Sequence, residues 1–306
     1  MAAPPLVSAV MAVHNGAGLI GETIASVLAQ SHRAIELLVV DDGSTDATAA
    51  IVEEWARRDG RVRLLRRGHS GQALALNDGI AAAQGAFIAR IDHDDLWHRD
   101  RLTAQLAWMA GEGLEVCGSW VRRIGEARGV MRFPRGHEAI SYETLFTCPI
   151  LDSASLFRGD VLREHPYPES AIVRTEMVQL LRLLPHYRFG NMPRILAEYR
   201  IHGGQKTLRL EPLARYRQRQ LQEQHFAQIC PDATDERATF ALVTQGGPLE
   251  REQLLALAEL FARRLRPPDP EARRRIVRHW RALTRTRAER SLGQALRHHL
   301  DDRFLA

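Results

Sequence analysis

The stretch Ile91-Asp92-His93-Asp94-Asp95-Leu96-Trp97 places three carboxylates within four positions, and one residue, Arg90, separates it from the apolar run Ala86-Phe87-Ile88-Ala89. Carboxylates this close repel one another and raise each other's pKa unless a divalent cation or a set of hydrogen-bond donors neutralises them. Hard oxygen ligands at the end of a strand suit Mg²⁺ or Mn²⁺. These ions are commonly held by one or two protein carboxylates together with the phosphates of the substrate. The alternative is a helix N-cap, for which a single Asp would suffice. The stretch therefore predicts a site for a divalent cation and a phosphate group.

The same stretch ends an alternating pattern of strands and helices. Predominantly apolar runs predict buried strands over residues 6–13, 35–40, 62–65 and 86–91. Apolar residues at helical spacing fill the intervals between these runs. Strands that alternate with helices form right-handed crossovers. The predicted fold class is therefore α/β, with a doubly wound, mostly parallel sheet.

Polar residues follow three of the predicted strands. Asn15 follows the first strand, Asp42 ends the second, and Asp92 and Asp94 follow the fourth. Ligands of such sheets bind at the carboxyl ends of the strands, where loops converge and helix N-termini point inward. The sequence therefore predicts one crevice that these side chains line together.

Beyond Arg99 the pattern changes. Helices are predicted over residues 102–109 and 176–184, and strands over residues 115–124, 153–157 and 195–199, the last as an edge or closing strand. From residue 211 the composition is helical, with segments near 212–229, 235–244, 249–265 and 270–300. The chain is predicted to form an α/β domain over residues 1–207, to which the family resemblance described below assigns nucleotide-sugar binding and catalysis, and a helical, Arg-rich C-terminal extension over residues 208–306.

The composition is that of a globular protein, with 306 residues, 45% of them hydrophobic and 26% charged. No segment reaches the ~18 to 20 consecutive apolar residues that a membrane-spanning helix requires. The N-terminus has no basic region ahead of its apolar run, so no signal peptide is predicted and a cytoplasmic location is expected. Cys117, Cys148 and Cys230 are widely spaced and odd in number, which is typical of reduced thiols.

Arginines are concentrated near the C-terminus, where residues 273–290 hold eight of them around Trp280 and Leu283. This spacing predicts a basic amphipathic helix. A solvated helix face is one interpretation, and peripheral contact with the inner face of an anionic membrane is another. No nucleic acid partner is expected, because no recognised binding module accompanies the charge.

A second interpretation of the first crevice uses Gly16, Gly18 and Gly21, which form a G-x-G-x-x-G pattern between a strand and a helix. Asp41 and Asp42 end the next strand about 20 residues on, where a ribose-binding acid would lie. This pattern predicts an NAD-dependent oxidoreductase as an alternative function. It leaves the acidic stretch without a role, and two residues, His14 and Asn15, separate the strand from the first glycine.

Several motifs together resemble the family 2 glycosyltransferases of the GT-A fold. The matching stretches are Val13-His14-Asn15, Ser26-Val27-Leu28-Ala29-Gln30, Val39-Val40-Asp41-Asp42-Gly43-Ser44-Thr45-Asp46, Ala75-Leu76-Asn77-Asp78-Gly79-Ile80 with Gly85, Asp92-His93-Asp94-Asp95, and Tyr199-Arg200-Ile201-His202. They cover roughly residues 6 to 207, in the family's order. The resemblance implies a GT-A-like domain with a helical C-terminal extension.

The resemblance also implies a reaction: a metal-dependent, usually inverting transfer of a sugar from a nucleoside-diphosphate donor to a glycan or lipid-linked acceptor, in cell-surface polysaccharide or glycolipid synthesis. It places Asp42 near the nucleotide base, Asp92 near the ribose, and Mg²⁺ or Mn²⁺ on Asp94. The remaining donor contacts that it implies are His14, Asn15, Asn77 and His202.

The family's catalytic base is an Asp preceded by Glu at the start of a helix. That position falls on Glu176, with Thr175 in place of the usual Glu. Glu176 is therefore the predicted general base, and a first-turn helix acid is the alternative interpretation. A non-catalytic relative that binds nucleotide-sugars remains a further alternative function.

Overall fold

The computed structural model describes residues 3–205, 210–245, 251–264 and 270–285. The chain divides into two compact units, which we call the sheet unit and the helical unit. The sheet unit contains Met1–Arg135 and Ile150–Leu210, and the helical unit contains Gly136–Pro149 and Glu211–Ala306. Gly136–Pro149 thus groups with the C-terminal helices. The predicted boundary at residues 207 and 208 lies outside the described residues, and separate roles for two domains stay a prediction.

The first half of the sheet unit is a regular alternation of strands and helices. Its elements are β1 (Val7–Val13), α1 (Ile20–Leu28), β2 (Ile35–Asp42), α2 (Thr48–Arg58), β3 (Val62–Arg67), α3 (Gln72–Ala82) and β4 (Phe87–Arg90). The four strands are parallel in the order β3-β2-β1-β4. Every residue of β1 and β2 is buried, as expected for apolar strands covered by helices on both faces. The predicted strands agree with these to within two residues.

The second half extends the sheet with antiparallel pairs. Its elements are β5 (Leu96–Trp97), α4 (Arg101–Glu112), β6 (Val116–Gly125), β7 (Gly129–Met131), a 3₁₀ turn (Asp152–Ala154), β8 (Leu156–Arg158), α6 (Gly159–Glu164), α7 (Thr175–Leu183) and β9 (Phe189–Ile201). The sheet continues from β4 in the order β8-β6-β9-β5, with β7 paired to β6. Strand β8 lies antiparallel to both β4 and β6.

Two predicted strands of this half are wrong in part. Residues 152–154 form the 3₁₀ turn, and β8 begins only at Leu156, because side chains of neighbouring elements bind the backbone of this turn. The strand predicted over residues 195–199 is longer and is not at an edge: β9 runs from Phe189 to Ile201 between β6 and β5. Its first residues pair with β6 as well, a contact that local sequence does not encode.

The helical unit consists of α5 (His137–Glu143), α8 (Glu211–Ile229), α9 (Thr234–Gln245), α10 (Arg251–Arg264) and α11 (Pro270–Arg285). Phe226, Phe240 and Phe261 are fully buried at its centre. Residues 286–300 of the predicted last helix lie outside the described residues. In the part of the chain that the structure describes, no helix has the length and apolarity needed to cross a lipid bilayer.

Candidate active site

The loop after β1 is tied to the loop after β2 through Asn15. The Asn15 N–H donates to Ser44 Oγ (2.9 Å), and its side-chain oxygen accepts the Thr45 N–H (2.8 Å). Asn15 has a positive φ of 56°, a conformation that Asn tolerates better than most residues. The structure therefore places Asn15 at the predicted edge as a turn residue, and its contact with a donor stays a prediction.

Asp42 lies at the end of β2 between two imidazoles. His14 Nδ1 and His69 Nδ1 approach the Asp42 carbonyl oxygen at 2.9 Å and 3.0 Å, and the two rings lie 4.2 Å apart. The buried Asp42 carboxylate accepts the N–H groups of Ser70 and Gly71, each at 2.9 Å. His69 was not predicted from the sequence; its position just after β3, at the same edge of the sheet, is the signal that could have found it.

The acidic stretch is fastened to the end of β9. The Arg200 N–H donates to Asp95 Oδ1 (2.9 Å), and Arg200 Nε donates to the Asp94 carbonyl (2.9 Å). His202 Nε2 lies 2.9 Å from Asp94 Oδ2. Burial raises the pKa of Asp95 well above its usual value, and the charges of Asp94 and Asp92 add to the increase. Asp94 and His202, 108 positions apart in sequence, are thus direct neighbours.

A buried arginine links the acidic stretch to a carboxylate that the sequence analysis missed. Arg90 is 1% exposed and forms ion pairs of 3.0 Å with both Asp92 and Asp152. Burial lowers the pKa of Arg90, but the two carboxylates outweigh burial and raise it overall. Burial also raises the pKa of Asp92, with Arg90 acting against the increase. Tyr167 donates its hydroxyl to Asp152 (2.8 Å), which completes the network.

A second buried arginine holds the turn that carries Asp152. Arg101 donates to the carbonyls of Ser153 (3.0 Å) and Ser155 (2.9 Å), and its guanidinium lies 4.0 Å from the ring centre of Trp97. Burial lowers its pKa to about 9. Arg101 is the first residue of α4 and lies about 50 positions before the turn that it binds. The position of Asp152 on that turn therefore depends on contacts between distant parts of the chain.

Glu176 lies in the first turn of α7. Burial raises its pKa above the usual value of 4.5, the charges of Asp152 and Asp92 act in the same direction, and Arg174 opposes them. Glu176 therefore interacts electrostatically with Asp152 and Asp92, and its role as the general base stays a prediction. Its side chain remains 30% exposed, so a substrate can reach the carboxylate.

Asn77 in α3 binds protein backbone with both ends of its amide. Its Nδ2 donates to the Tyr167 carbonyl (2.9 Å), and its Oδ1 accepts the Tyr167 N–H (2.8 Å). Asn77 is therefore connected to Asp152 indirectly, because the hydroxyl of Tyr167 donates to Asp152. The direct donor contact predicted for Asn77 stays a prediction.

The glycine pattern does not form a pyrophosphate cradle. A Cβ on Gly16 would lie 2.5 Å from His93 Cδ2, so a side chain of the acidic stretch already occupies the space beside this glycine. The Gly16 N–H donates to Thr48 Oγ1 (2.8 Å), whereas a dinucleotide site needs its backbone to approach the phosphates. The small residue at position 16 is thus explained by packing against His93.

The donor set around Asp94 fits a divalent cation that arrives with a diphosphate. Among the described residues, no three His, Cys, Asp or Glu side chains converge to hold a metal ion. Asp94 and His202 nevertheless offer one carboxylate oxygen and one imidazole nitrogen, 2.9 Å apart. Mg²⁺ and related ions are commonly held by few protein ligands, with substrate phosphates and water completing the coordination.

Solved structures of GT-A glycosyltransferases share this fold. S. aureus TarS 1–349 in complex with UDP-GlcNAc matches with a TM-score of 0.64 at 14% identity, over 97% of this chain and 90% of that chain. The mannosyltransferase PcManGT from Pyrobaculum calidifontis, in complex with GDP-Man and Mn²⁺, matches with a TM-score of 0.56 at 21% identity, over 95% and 78% of the two chains. Likeness at these identities establishes the fold, and it confirms the predicted GT-A-like α/β class.

The family of the chain is shown by a comparison of its sequence with protein-family profiles. The profile of glycosyl transferase family 2 matches residues 8–164, about half of the chain. The chain therefore belongs to glycosyltransferase family 2, and the resemblance seen in its motifs is confirmed. The alternative of an NAD-dependent oxidoreductase is wrong, because the family match spans the glycines and aspartates on which that alternative depends.

Curated relatives are also named glycosyltransferases. An uncharacterized glycosyltransferase of Haemophilus influenzae is 28% identical in an alignment of 224 residues that covers 66% of this chain and 68% of the relative. An uncharacterized glycosyltransferase of Rickettsia felis is 28% identical over 206 residues, only 34% of its length. A Bacillus subtilis protein provisionally named teichuronic acid biosynthesis glycosyltransferase TuaG is 40% identical over 106 residues, 34% of this chain and 42% of that protein. The chain thus spans between about a third and two thirds of these relatives.

Proposed function

We propose that this glycosyltransferase moves a sugar from a nucleoside-diphosphate donor to an acceptor hydroxyl, with a divalent cation and with inversion at the anomeric carbon. The observation that supports the proposal is that Glu176, in the first turn of α7, interacts electrostatically with Asp152 and Asp92. In the proposal, this carboxylate faces the same crevice as the acidic stretch. Sugar transfer needs both groups, one for the leaving diphosphate and one for the acceptor proton.

The donor side of the proposal uses the edge formed by β1, β2 and β4. Asp42 and His14 would contact the nucleotide base, and Asp92 would bind the ribose. Asp94 and His202 would hold Mg²⁺ or Mn²⁺ beside the diphosphate. When bound, this cation supplies Lewis-acid neutralisation of the charge that grows on the leaving group. Arg90 keeps the Asp92 carboxylate anchored through its ion pair of 3.0 Å.

The acceptor side uses Glu176 as general base. Its carboxylate accepts the proton of the acceptor hydroxyl while the hydroxyl oxygen attacks the anomeric carbon. The bond from that carbon to the diphosphate oxygen breaks, and the electron pair leaves with the nucleoside diphosphate. Attack from the face opposite the leaving group inverts the configuration. A general base is most effective when its pKa lies near the pH at which it works. Burial raises the pKa of Glu176 and so moves it in the direction of neutral pH.

We further propose an acceptor that is a glycan or a lipid-linked sugar in cell-surface polysaccharide or glycolipid synthesis. The provisional name of the Bacillus subtilis relative supports this class of product. Helix α11 carries exposed arginines, among them Arg274 and Arg278. Arginines on such a face would allow peripheral contact with an anionic membrane at its cytoplasmic side.

The first experiment is a calorimetric titration of the protein with UDP and with GDP, each with and without Mn²⁺, and with NAD⁺. We expect tight binding of one nucleoside diphosphate that requires Mn²⁺ and is lost in Asp94→Ala. Because Asp160 is an exposed carboxylate paired with Arg158 on the surface, Asp160→Ala is the matched control and should bind normally. Nucleotide binding that is indifferent to both Mn²⁺ and Asp94 would refute the proposed donor site.

A kinetic experiment tests the base. Glu176→Gln should lower the rate of sugar transfer by about 10² to 10⁴, the usual contribution of a general base, while binding of the nucleotide stays unchanged. Transfer that survives this substitution would show that another group accepts the proton. A variant without transfer but with normal nucleotide binding also locates the defect at the chemical step.

A further inference from the structure

Arg174, the residue before α7, has an unusual backbone conformation. Its φ of 55° and ψ of 35° lie in the left-handed region, which residues other than Gly, Asn and Asp rarely adopt. Two non-glycine residues of the described chain have positive φ, Asn15 and Arg174, and Asn15 also lies at the crevice. The conformation is maintained because the Arg174 carbonyl accepts the N–H groups of Met177 and Val178, both at 3.0 Å. Such outliers cluster at functional sites, where the surrounding structure enforces them.

The guanidinium of Arg174 differs from those of the other two arginines of the site in its hydrogen bonds. Arg90 and Arg101 donate hydrogen bonds to backbone carbonyls. By contrast, Arg174 Nε is buried without a hydrogen-bond partner among the described residues. Arg174 Nη1 lies 3.9 Å from Glu176 Oε1, an ion pair beyond hydrogen-bond distance. The side chain therefore contributes a positive charge beside Glu176, and its buried Nε donates to none of the described residues.

Glu176 needs a positive charge nearby. It is half-buried, and the carboxylates of Asp152, on the 3₁₀ turn, and Asp92, after β4, both disfavour its ionised form. Its own backbone N–H and Arg174 favour the ionised form. The cation on the neighbouring network, Arg90, is already shared between Asp92 and Asp152. Arg174 thus offsets part of the negative charge around Glu176.

We propose that Arg174 is a positioning residue for sugar transfer: its positive charge, 3.9 Å from Glu176 Oε1, favours the ionised carboxylate that accepts the proton of the acceptor hydroxyl. This inference rests on the proposed role of Glu176 as base. Because the Glu176 side chain is 30% exposed and that of Arg174 is 26% exposed, an incoming hydroxyl can reach both. Arg174 precedes Glu176 by two residues, and its left-handed backbone lies directly before the first turn of α7, which carries Glu176.

The test measures the pKa of Glu176 directly, by NMR titration of protein labelled with ¹³C at the glutamate carboxyl carbons. The Glu176 signal is assigned from its absence in Glu176→Gln. Arg174→Asn removes the charge with a residue that accepts left-handed backbone, and Arg174→Gly is the second neutral variant if the first folds poorly. Arg174→Lys keeps the charge. Arg57→Asn removes an arginine that is 73% exposed on α2 and is the matched control.

In both neutral variants we expect the pKa of Glu176 to rise by about one unit, since an opposite charge within 4 to 6 Å typically lowers a carboxyl pKa by that much or more. Arg174→Lys should restore most of the difference, and Arg57→Asn should cause none. In kinetic assays that follow nucleoside diphosphate release, the acidic limb of the kcat/KM profile should move to higher pH by the same amount. The KM for the donor should stay unchanged.

An unchanged pKa of Glu176 in Arg174→Asn or Arg174→Gly would overturn the inference. So would a rise of the same size in Arg57→Asn. The result does not depend on Glu176 being the base, because the titration needs no substrate. If Glu176→Gln retains transfer while the neutral variants shift the pKa, the proposed base is wrong and the electrostatic pairing stands.

Discussion

Replacing Arg90 with Met tests whether the buried network supports the site. The substitution keeps a long, unbranched side chain at the end of β4 and removes the cation between Asp92 and Asp152. Arg90 is 1% exposed, and both of its ion pairs measure 3.0 Å. Its Nη1 also donates to the carbonyls of Val10 (2.8 Å) and Ile91 (3.1 Å). The variant therefore leaves two carboxylates and two carbonyls without this donor.

Removing one partner of a buried ion pair costs about 3 to 5 kcal/mol, because an uncompensated charge remains in the interior. Asp92 is 32% exposed at its side chain and Asp152 is 16% exposed, so hydration offsets part of this cost. We therefore expect a loss of about 3 kcal/mol in the free energy of unfolding at neutral pH. This loss would be a large share of the ~5 to 15 kcal/mol that stabilises a typical domain.

The loss should depend on pH with a definite sign. Burial already raises the pKa of Asp92 above its unfolded value, and the Arg90 charge limits that increase. Without Arg90 the ionised form of Asp92 opposes folding more strongly, and protonation removes this opposition. The difference in stability between wild type and variant should therefore be largest near pH 7 and should shrink as the pH falls through the raised pKa of Asp92.

Urea denaturation followed by circular dichroism and tryptophan fluorescence, at pH 7 and pH 5, measures both effects. Arg66→Met is the matched control, because Arg66 on β3 pairs with Glu53 on the surface and is 57% exposed. Exposed pairs of this kind contribute about 0 to 1 kcal/mol. A loss in Arg90→Met no larger than in Arg66→Met, or one that grows at pH 5, would refute the reasoning.

The remaining predictions concern the chemistry of the crevice. Because the pKa of Glu176 is raised above 4.5, the acidic limb of the kcat/KM profile should have its midpoint above that pH; a profile flat down to pH 4 would contradict the assignment of the base. His202→Ala should weaken Mn²⁺-dependent nucleotide binding by about 10- to 100-fold in calorimetry, whereas His186→Ala, a histidine beside Tyr187, should leave it unchanged. Equal effects of the two substitutions would count against a metal-binding role for His202.

The oxidoreductase alternative shows how a short motif can fit two chemistries. Gly16, Gly18 and Gly21 satisfy the dinucleotide spacing, and Asp42 lies where a ribose-binding acid would be expected. Spacing along the chain cannot reveal what fills the space beside a glycine. The contact of 2.5 Å between a Cβ at position 16 and His93 is a tertiary property, because His93 lies 77 positions further along the chain.

The sequence by itself determined the alternation of β1 to β4 with their helices, since predominantly apolar runs and helical spacing are local properties of the chain. It also determined which strand ends carry Asn15, Asp42 and the acidic stretch, and parallel strands bring such ends to one edge. The tertiary structure alone decided the partners of these groups. Strand β8 lies antiparallel between β4 and β6, and this insertion brings Asp152 to Arg90. The end of β9 brings His202 to Asp94 in the same way, because side-chain proximity across such sequence separations is set by packing and strand order, which local patterns do not specify.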